Sequence, residues 1–168
     1  MEKPINFETK PLKEYIELMQ WMDKQCFPEE MWLDEKAAQA LIKAGAEATV
    51  LKLDTQVIGL AVTLTEEAAN QFLSDVDEKF SVMKEGIYSY SEAILPEFQN
   101  QGYGSLLLLE LSDRMRERGY KYISAHVRTI YGWHLKRYRR LLIAETRSVN
   151  NFWEDVREGA VEFQLAIL

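Results

Sequence analysis

The sequence predicts an α/β fold, a mixed sheet with helices on both faces, built as a single domain over residues 1–168. Three stretches carry that expectation. Residues 91–118, SEAILPEFQNQGYGSLLLLELSDRMRER, read as a strand end, a polar turn with two glycines and an amphipathic helix. Residues 48–53 and 57–64 are apolar, β-branched runs separated by Asp54-Thr55-Gln56, the pattern of an antiparallel hairpin. In residues 161–168, Val161, Phe163, Leu165 and Ile167 alternate with Glu162, Gln164, Ala166 and Leu168, as in a strand. A chain of 168 residues is long enough for one domain with a substantial core.

In chain order, residues 5–8 give a short first strand. From Leu12 the pattern turns helical, with Tyr15, Leu18, Met19 and Met22 on one face. Pro28 interrupts it. A second helix is expected from Asp34, its N-cap, through Ala44, with Gly45 as the stop. The hairpin follows, and Gly59 inside its second run signals a bulge or a close backbone approach. Residues 66–84 are helix-like and acidic at the start. Residues 87–95 form the central strand, with Tyr88, Tyr90, Glu92 and Ile94 on one side and Ser89, Ser91, Ala93 and Leu95 on the other.

Pro96 cannot donate to a sheet ladder, so that strand finishes there. Gln99, Asn100, Gln101 and Gly102 make the turn, and Gly104 and Ser105 lead into a helix over residues 106–118. Leu107, Leu108, Leu111 and Met115 recur on one face of it. Gly119, after Arg116 and Arg118, stops it. Residues 122–128 are the next strand, a helix begins near Tyr131, and residues 143–153 and 161–168 form a hairpin around Arg157-Glu158-Gly159.

Composition narrows the function classes. Apolar residues make up 47% and charged residues 28%, an ordinary folded composition. A net charge of -7 argues against non-specific nucleic-acid binding; it would favour attraction of a cationic substrate such as an amine, and the stronger alternative is an acidic surface that serves solubility alone. The basic run Lys136, Arg137, Arg139 and Arg140 reads as a solvated helix end rather than a phosphate site. One cysteine, Cys26, forms no internal disulfide and fits a reducing, cytoplasmic compartment. Among Met22, Phe27 and Trp32 it reads as a buried structural thiol. One cysteine and two histidines form no metal-ligand pattern. No segment is long enough to span a membrane, and the N-terminus has no apolar core of a signal peptide.

A glycine turn that opens a helix has a chemical use. The first helical turn presents amides and the positive dipole end, and glycines let a phosphate approach them. Here the spacing is Gln99-x-x-Gly102-x-Gly104. It is no Rossmann fingerprint, because Leu107 stands at the third glycine position, and no P-loop, because no Gly-Lys-Ser/Thr follows. Following a strand that ends near proline, it resembles the signature of the GNAT superfamily of acyl-CoA-dependent N-acetyltransferases.

The resemblance implies a mixed, mostly antiparallel central sheet and acetyl-CoA as co-substrate. Gln99, Asn100, Gln101, Gly102, Tyr103, Gly104 and Ser105 would hold its pyrophosphate. The backbone at Ile94 and Leu95 would bind the pantetheine arm like an added strand. Strand 122–128 would diverge from the central strand and leave a gap for the cofactor. The helical stretch after the first strand would line the acceptor pocket, which makes Trp21, Phe27 and Trp32 candidates for substrate contact; the alternative is a place in the core. The 66–84 connection replaces a short turn of the family and reads either as a substrate lid or as a surface excursion.

His126-Val127-Arg128, Tyr131 and Tyr138 are spaced as in bacterial protein N-terminal acetyltransferases of this superfamily. By that resemblance His126 stands at the base position, where glutamate is usual, and Tyr138 at the general-acid position. The chain departs from the pattern at Tyr131, where asparagine is usual, and at Arg139-Arg140-Leu141-Leu142, where a Gly-Phe pair is typical.

Independently of the resemblance, a carboxylate in a central strand is costly to bury unless paired or functional, so Glu92 is a site candidate; the alternative is a partly solvated residue at the mouth of the sheet. The expected reaction is direct attack of a primary amine, small-molecule or peptide, on the thioester of acetyl-CoA. His126, the favoured base, or Glu92 through a water, would take the amine's proton and Tyr138 would protonate the leaving thiolate; the alternatives are a histidine hydrogen-bonded in its strand and a core tyrosine. The alternative is a catalytically inactive acyl-CoA-binding sensor or interaction module. The sequence does not specify the acceptor and leaves monomer and homodimer both open.

Overall fold

A computed structural model of the chain describes residues 3–129, 141–150, 152 and 161–168. Tyr131, Tyr138, the basic run at 136–140 and the turn at 157–159 lie outside the described residues. Among the described residues, seven strands form one sheet in the order β1-β2-β3-β4-β5-β7-β6. The chain divides into two compact units: Met1–Thr63 with Ser91–Leu111, and Leu64–Tyr90 with Ser112–Leu168.

In the first unit β1 (Ile5–Pro11) pairs antiparallel with β2 (Glu47–Leu53), and β2 with β3 (Gln56–Thr65). β1 is longer than its weak alternation suggests because β2 holds it along its length, from Ile5 opposite Leu53 to Pro11 opposite Glu47. The Thr9 and Thr49 hydroxyls meet across the pair at 2.8 Å. Glu8 accepts from the Tyr15 hydroxyl and from Lys52 at 2.7 and 2.6 Å, and pairs with Lys10. Both readings of Gly59 hold. The β2–β3 register slips beside it, with Leu51 opposite Gly59 and Lys52 opposite Val57. A side chain at Gly59 would begin 2.5 Å from Ile94 Cδ1 and 3.3 Å from the Ala93 carbonyl.

A single 3-10 turn at Leu12–Glu14 precedes α1 (Ile16–Cys26), which buries Met19 and Met22. α1 stops at Phe27, where the backbone becomes extended just before Pro28. α2 (Glu35–Lys43) starts as expected, with Asp34 Oδ1 accepting the Ala37 N–H at 2.7 Å, and ends at Gly45, whose φ is +78°.

α4 (Tyr103–Glu117) begins three residues before the predicted 106, so Gly104 and Ser105 lie in its first turn. Its expected apolar face is confirmed: Leu107, Leu108, Leu111 and Met115 are all buried. It closes with a Schellman arrangement, Tyr120 N–H to Met115 O and Gly119 N–H to Arg116 O, both at 3.0 Å, with Gly119 at φ +90°.

In the second unit Thr65 caps α3 (Glu66–Leu73). The helix covers only the first half of the helix-like stretch. The chain from Ser74 to Glu85 then runs through turns to β4 (Gly86–Ile94). β4 pairs parallel with β5 (Tyr122–Arg128) through Gly86, Ile87 and Tyr88. β7 (Val161–Ile167) lies antiparallel between β5 and β6 (Leu142–Val149). Val149, Val161, Phe163 and Leu165 form a core against which Phe80, Met83, Tyr122 and Phe152 pack.

Candidate active site

The glycine turn lies in the first unit, between the end of β4 and α4. Asn100 and Gly102 have left-handed backbones, φ +60° and +90°. The Leu106 N–H donates to the Gly102 carbonyl at 3.0 Å and starts the helical ladder. Ahead of it, the amides of Asn100, Gln101, Gly102, Tyr103 and Ser105 donate to no acceptor among the described residues. Gln101 braces the turn from outside, its Nε2 donating to the Glu97 carbonyl at 2.9 Å, and Phe98 packs edge-on to Tyr103. Unused amides at a helix start can hold an anion such as a phosphate.

Nothing lies within 4 Å of where a Gly102 side chain would begin, so the face of the turn is open. Gly102→Val would force a β-branched residue to a positive φ, at about 1–2 kcal/mol, and fill that face. CoA affinity measured by calorimetry should fall by roughly fivefold to thirtyfold. Wild-type affinity would remove the turn from the cofactor site.

Ile94 and Leu95 are buried at the end of β4. Their backbone is already engaged: Leu95 N–H donates to Ile58 O at 2.9 Å, and Ile94 O accepts from Gln99 Nε2 at 2.8 Å and from Cys26 Sγ at 3.5 Å. Glu92, two residues earlier, is 6% exposed, so it is buried rather than partly solvated at the mouth of the sheet. Cys26 is half-buried, and burial, with Asp23 and Glu97 nearby, pushes its thiol up to about 12, which leaves it inert as a nucleophile. Trp21 and Trp32 are 47% and 38% exposed, so neither is a core residue. The Trp32 ring is fixed by its Nε1–H donating to the Phe27 carbonyl at 2.8 Å.

His126 is in the second unit, on β5 opposite Phe163 of β7. Its side chain is closed to solvent, and both ring nitrogens are taken: Nδ1 lies 3.0 Å from the Tyr88 hydroxyl and Nε2 2.9 Å from Asp77 Oδ2. Burial raises the Asp77 carboxyl, but hydrogen bonds from Arg147 and His126 outweigh it and hold the group below its ordinary value. Asp77 is therefore an ionised acceptor. That fixes the tautomer: Nε2–H donates to Asp77, and Nδ1 accepts the Tyr88 proton. Arg147 of β6 grips Asp77 with two bonds, at 2.8 and 2.6 Å. Phe152 stacks on the imidazole at 4.3 Å between centroids, and Phe80 and Phe163 complete the enclosure. Glu66, also buried, accepts from Ser124 Oγ and the Met83 N–H at 2.6 and 2.7 Å. These bonds staple the 66–84 connection to the strands of its own unit.

The enclosure sets a pH dependence of folding. Burial pulls His126 from 6.5 to about 4, against the opposite pull of Asp77. Between those values the unfolded chain binds a proton that the folded chain refuses, so His126 costs stability as pH falls from about 6.5 to about 4. Asp23 works the other way: burial raises it from 3.8 to about 6, and its contribution is lost as pH rises through that window. His126→Gln should therefore flatten the loss of stability between pH 6.5 and 4 in urea unfolding. An unchanged slope would contradict the buried, neutral imidazole.

The structure gathers Gln99 and Cys26 at Ile94 in the first unit, and His126 with Tyr88, Asp77 and Arg147 in the second. Tyr138 falls outside the described residues. Asp77 and Asp23 were not singled out from the sequence. Asp77 is one acid among several in DVDEK. Asp23 did carry a signal, since Met19, Met22, Asp23 and Cys26 recur at helical spacing and put an acid on the apolar face of α1. Among the described residues no group of three or more His, Cys, Asp or Glu side chains is placed to hold a metal ion, and no helix is long and apolar enough to cross a membrane.

The sequence matches the model of the acetyltransferase (GNAT) family over residues 12–132. No curated protein matches it in sequence. Solved structures share its fold. The ribosomal-protein-S18-alanine N-acetyltransferase from Escherichia coli is 15% identical with a TM-score of 0.68, covering 98% of this chain and 93% of that one. The Drosophila melanogaster polyamine N-acetyltransferase, which catalyses formation of N-acetylagmatine, is 13% identical with a TM-score of 0.69, covering 98% and 100%. The yncA protein from Salmonella typhimurium, solved with its cofactor acetyl-CoA, is 13% identical with a TM-score of 0.66, covering 98% and 94%.

Proposed function

The chain belongs to the acetyltransferase (GNAT) family, and from that premise we propose that it transfers the acetyl group of acetyl-CoA to a primary amine by direct attack, as one domain of residues 1–168. Acetyl-CoA is the co-substrate of this family and supplies an acetyl thioester, which the amine cleaves to an amide and the CoA thiol. The observation that carries the reading is the set of amides of Asn100, Gln101, Gly102, Tyr103 and Ser105 that donate to no acceptor among the described residues, under the open face of Gly102. The solved relatives with amine acceptors named above support nitrogen as the acceptor atom.

An amine of lysine type has a pKa of about 10.4 and must lose a proton before it attacks. With both nitrogens of His126 engaged, Glu92 is the better base, directly or through a water. Tyr138 donates the proton to the departing sulfur. The Gln99–Ser105 turn holds the pyrophosphate. The backbone around Ile94 and Leu95 positions the pantetheine arm, with Gln99 Nε2 and Cys26 Sγ occupying the Ile94 carbonyl until the arm arrives. The lone Cys26 supports a reducing, cytoplasmic compartment.

Release of free thiol from acetyl-CoA, measured with a panel of primary amines, tests the reading. Amine-dependent release with a mass gain of one acetyl group on the amine is expected. CoA binding without release for any amine would favour the sensor or interaction module.

A further inference from the structure

Among the described residues, Asp23 differs from two other buried carboxylates, Asp77 and Glu66. Asp77 carries Arg147, His126 and the Lys79 amide. Glu66 carries the Ser124 hydroxyl and the Met83 amide. Asp23, 4% exposed, has only the Leu33 N–H, at 3.0 Å from Oδ2, and among the described residues nothing donates to Oδ1. A buried carboxylate without a cation or several donors is costly, and such a cost persists when the group has a task.

Its surroundings indicate the task. Asp23 and Cys26 are three residues apart on α1 and share a face, about one turn or ~5 Å along the helix. Cys26 touches the Ile94 carbonyl, the strand end assigned above to the pantetheine arm. The residue before Leu33 is the exposed Trp32, over whose ring the Lys24 ammonium sits at 5.8 Å from the centroid, so a cation is already tolerated beside this loop.

We propose that Asp23 anchors a second cationic group of the acceptor, an ammonium or guanidinium remote from the nitrogen that is acetylated. This rests on the amine-acetyltransferase reading. A carboxylate against the reacting nitrogen would hold it protonated and block attack, so the cation that Asp23 holds is not the nitrogen that is acetylated. The acceptor class is then diamines, polyamines or other amines with a distal positive charge, consistent with the acidic net charge of -7.

The test is equilibrium binding to the protein saturated with CoA, using 1,4-diaminobutane and 1,5-diaminopentane against 1-aminobutane and 1-aminopentane. The diamines should bind at least about tenfold more tightly. Asp23→Asn keeps an acceptor for the Leu33 N–H and removes only the charge, so it should abolish that preference while CoA affinity stays at the wild-type value. A wild-type protein with no preference for diamines overturns the proposal. So does an Asp23→Asn protein that keeps it, or one that loses affinity for diamines and monoamines equally, which marks a purely structural brace. CoA binding and thiol release with any amine are read separately, so failure here is distinguishable from failure of the acetyltransferase reading.

Discussion

Glu92→Gln is expected to lower turnover by about 10²–10⁴-fold, the usual contribution of a positioned base, while CoA binds as before. Glutamine keeps the size and hydrogen-bonding oxygen of Glu92, which is 6% exposed on β4, and loses only the capacity to take a proton. The loss should shrink as pH rises. Below an amine pKa of about 10.4 the free-base fraction grows about tenfold per pH unit, so at high pH the acceptor needs no help. Initial rates from pH 7 to 10 check this. His126→Gln should leave the same rate profile intact, because its ring nitrogens serve Tyr88 and Asp77. A Glu92→Gln enzyme with wild-type turnover across that range would move the base elsewhere.

Tyr138→Phe should cost roughly a hundredfold in turnover with CoA affinity intact. In the sequence Tyr138 lies ten residues after Arg128, on the segment that begins near Tyr131. A phenol with a pKa of about 10 is protonated at neutral pH and can donate to a departing thiolate. Phenylalanine keeps the ring and removes only the donor, so packing and chemistry separate in one variant. Single-turnover rates with saturating acetyl-CoA measure the step. Full activity would show that the thiolate leaves unaided or takes its proton from water.

What the sequence revealed follows the range of each interaction. The caps at Asp34, Gly45 and Gly119 depend on residues a few positions away, and all three appear as expected. The apolar face of α4 follows from periodicity alone. The start of α4 at Tyr103 was not legible, because Gly104 has poor helix propensity and only the turn geometry brings it into the first turn. The extent of β1 depends on β2, about forty residues on, as the Thr9–Thr49 contact shows. Within the candidate site the glycine turn was legible as a local motif. The partners of His126 were not: Asp77 lies 49 residues from it in sequence and Tyr88 lies 38. No periodicity links such positions.

The grip of Arg147 on Asp77 has a consequence for synthesis. The two residues are 70 positions apart. At a translation rate of about 5–20 residues per second, Asp77 leaves the ribosome roughly 4–14 s before its partner. Through that interval a carboxylate destined to be 3% exposed has no guanidinium, and the imidazole it orients lacks the rings of Phe152 and Phe163. The unit that carries the glycine turn has all its residues once Leu111 is made, whereas the other needs residues up to Leu168. The nascent enzyme therefore displays the aromatic lining of its second unit for the last third of its translation. A stop codon anywhere before β6 leaves that lining uncovered in the released chain, a target for chaperones and proteases rather than a shorter enzyme.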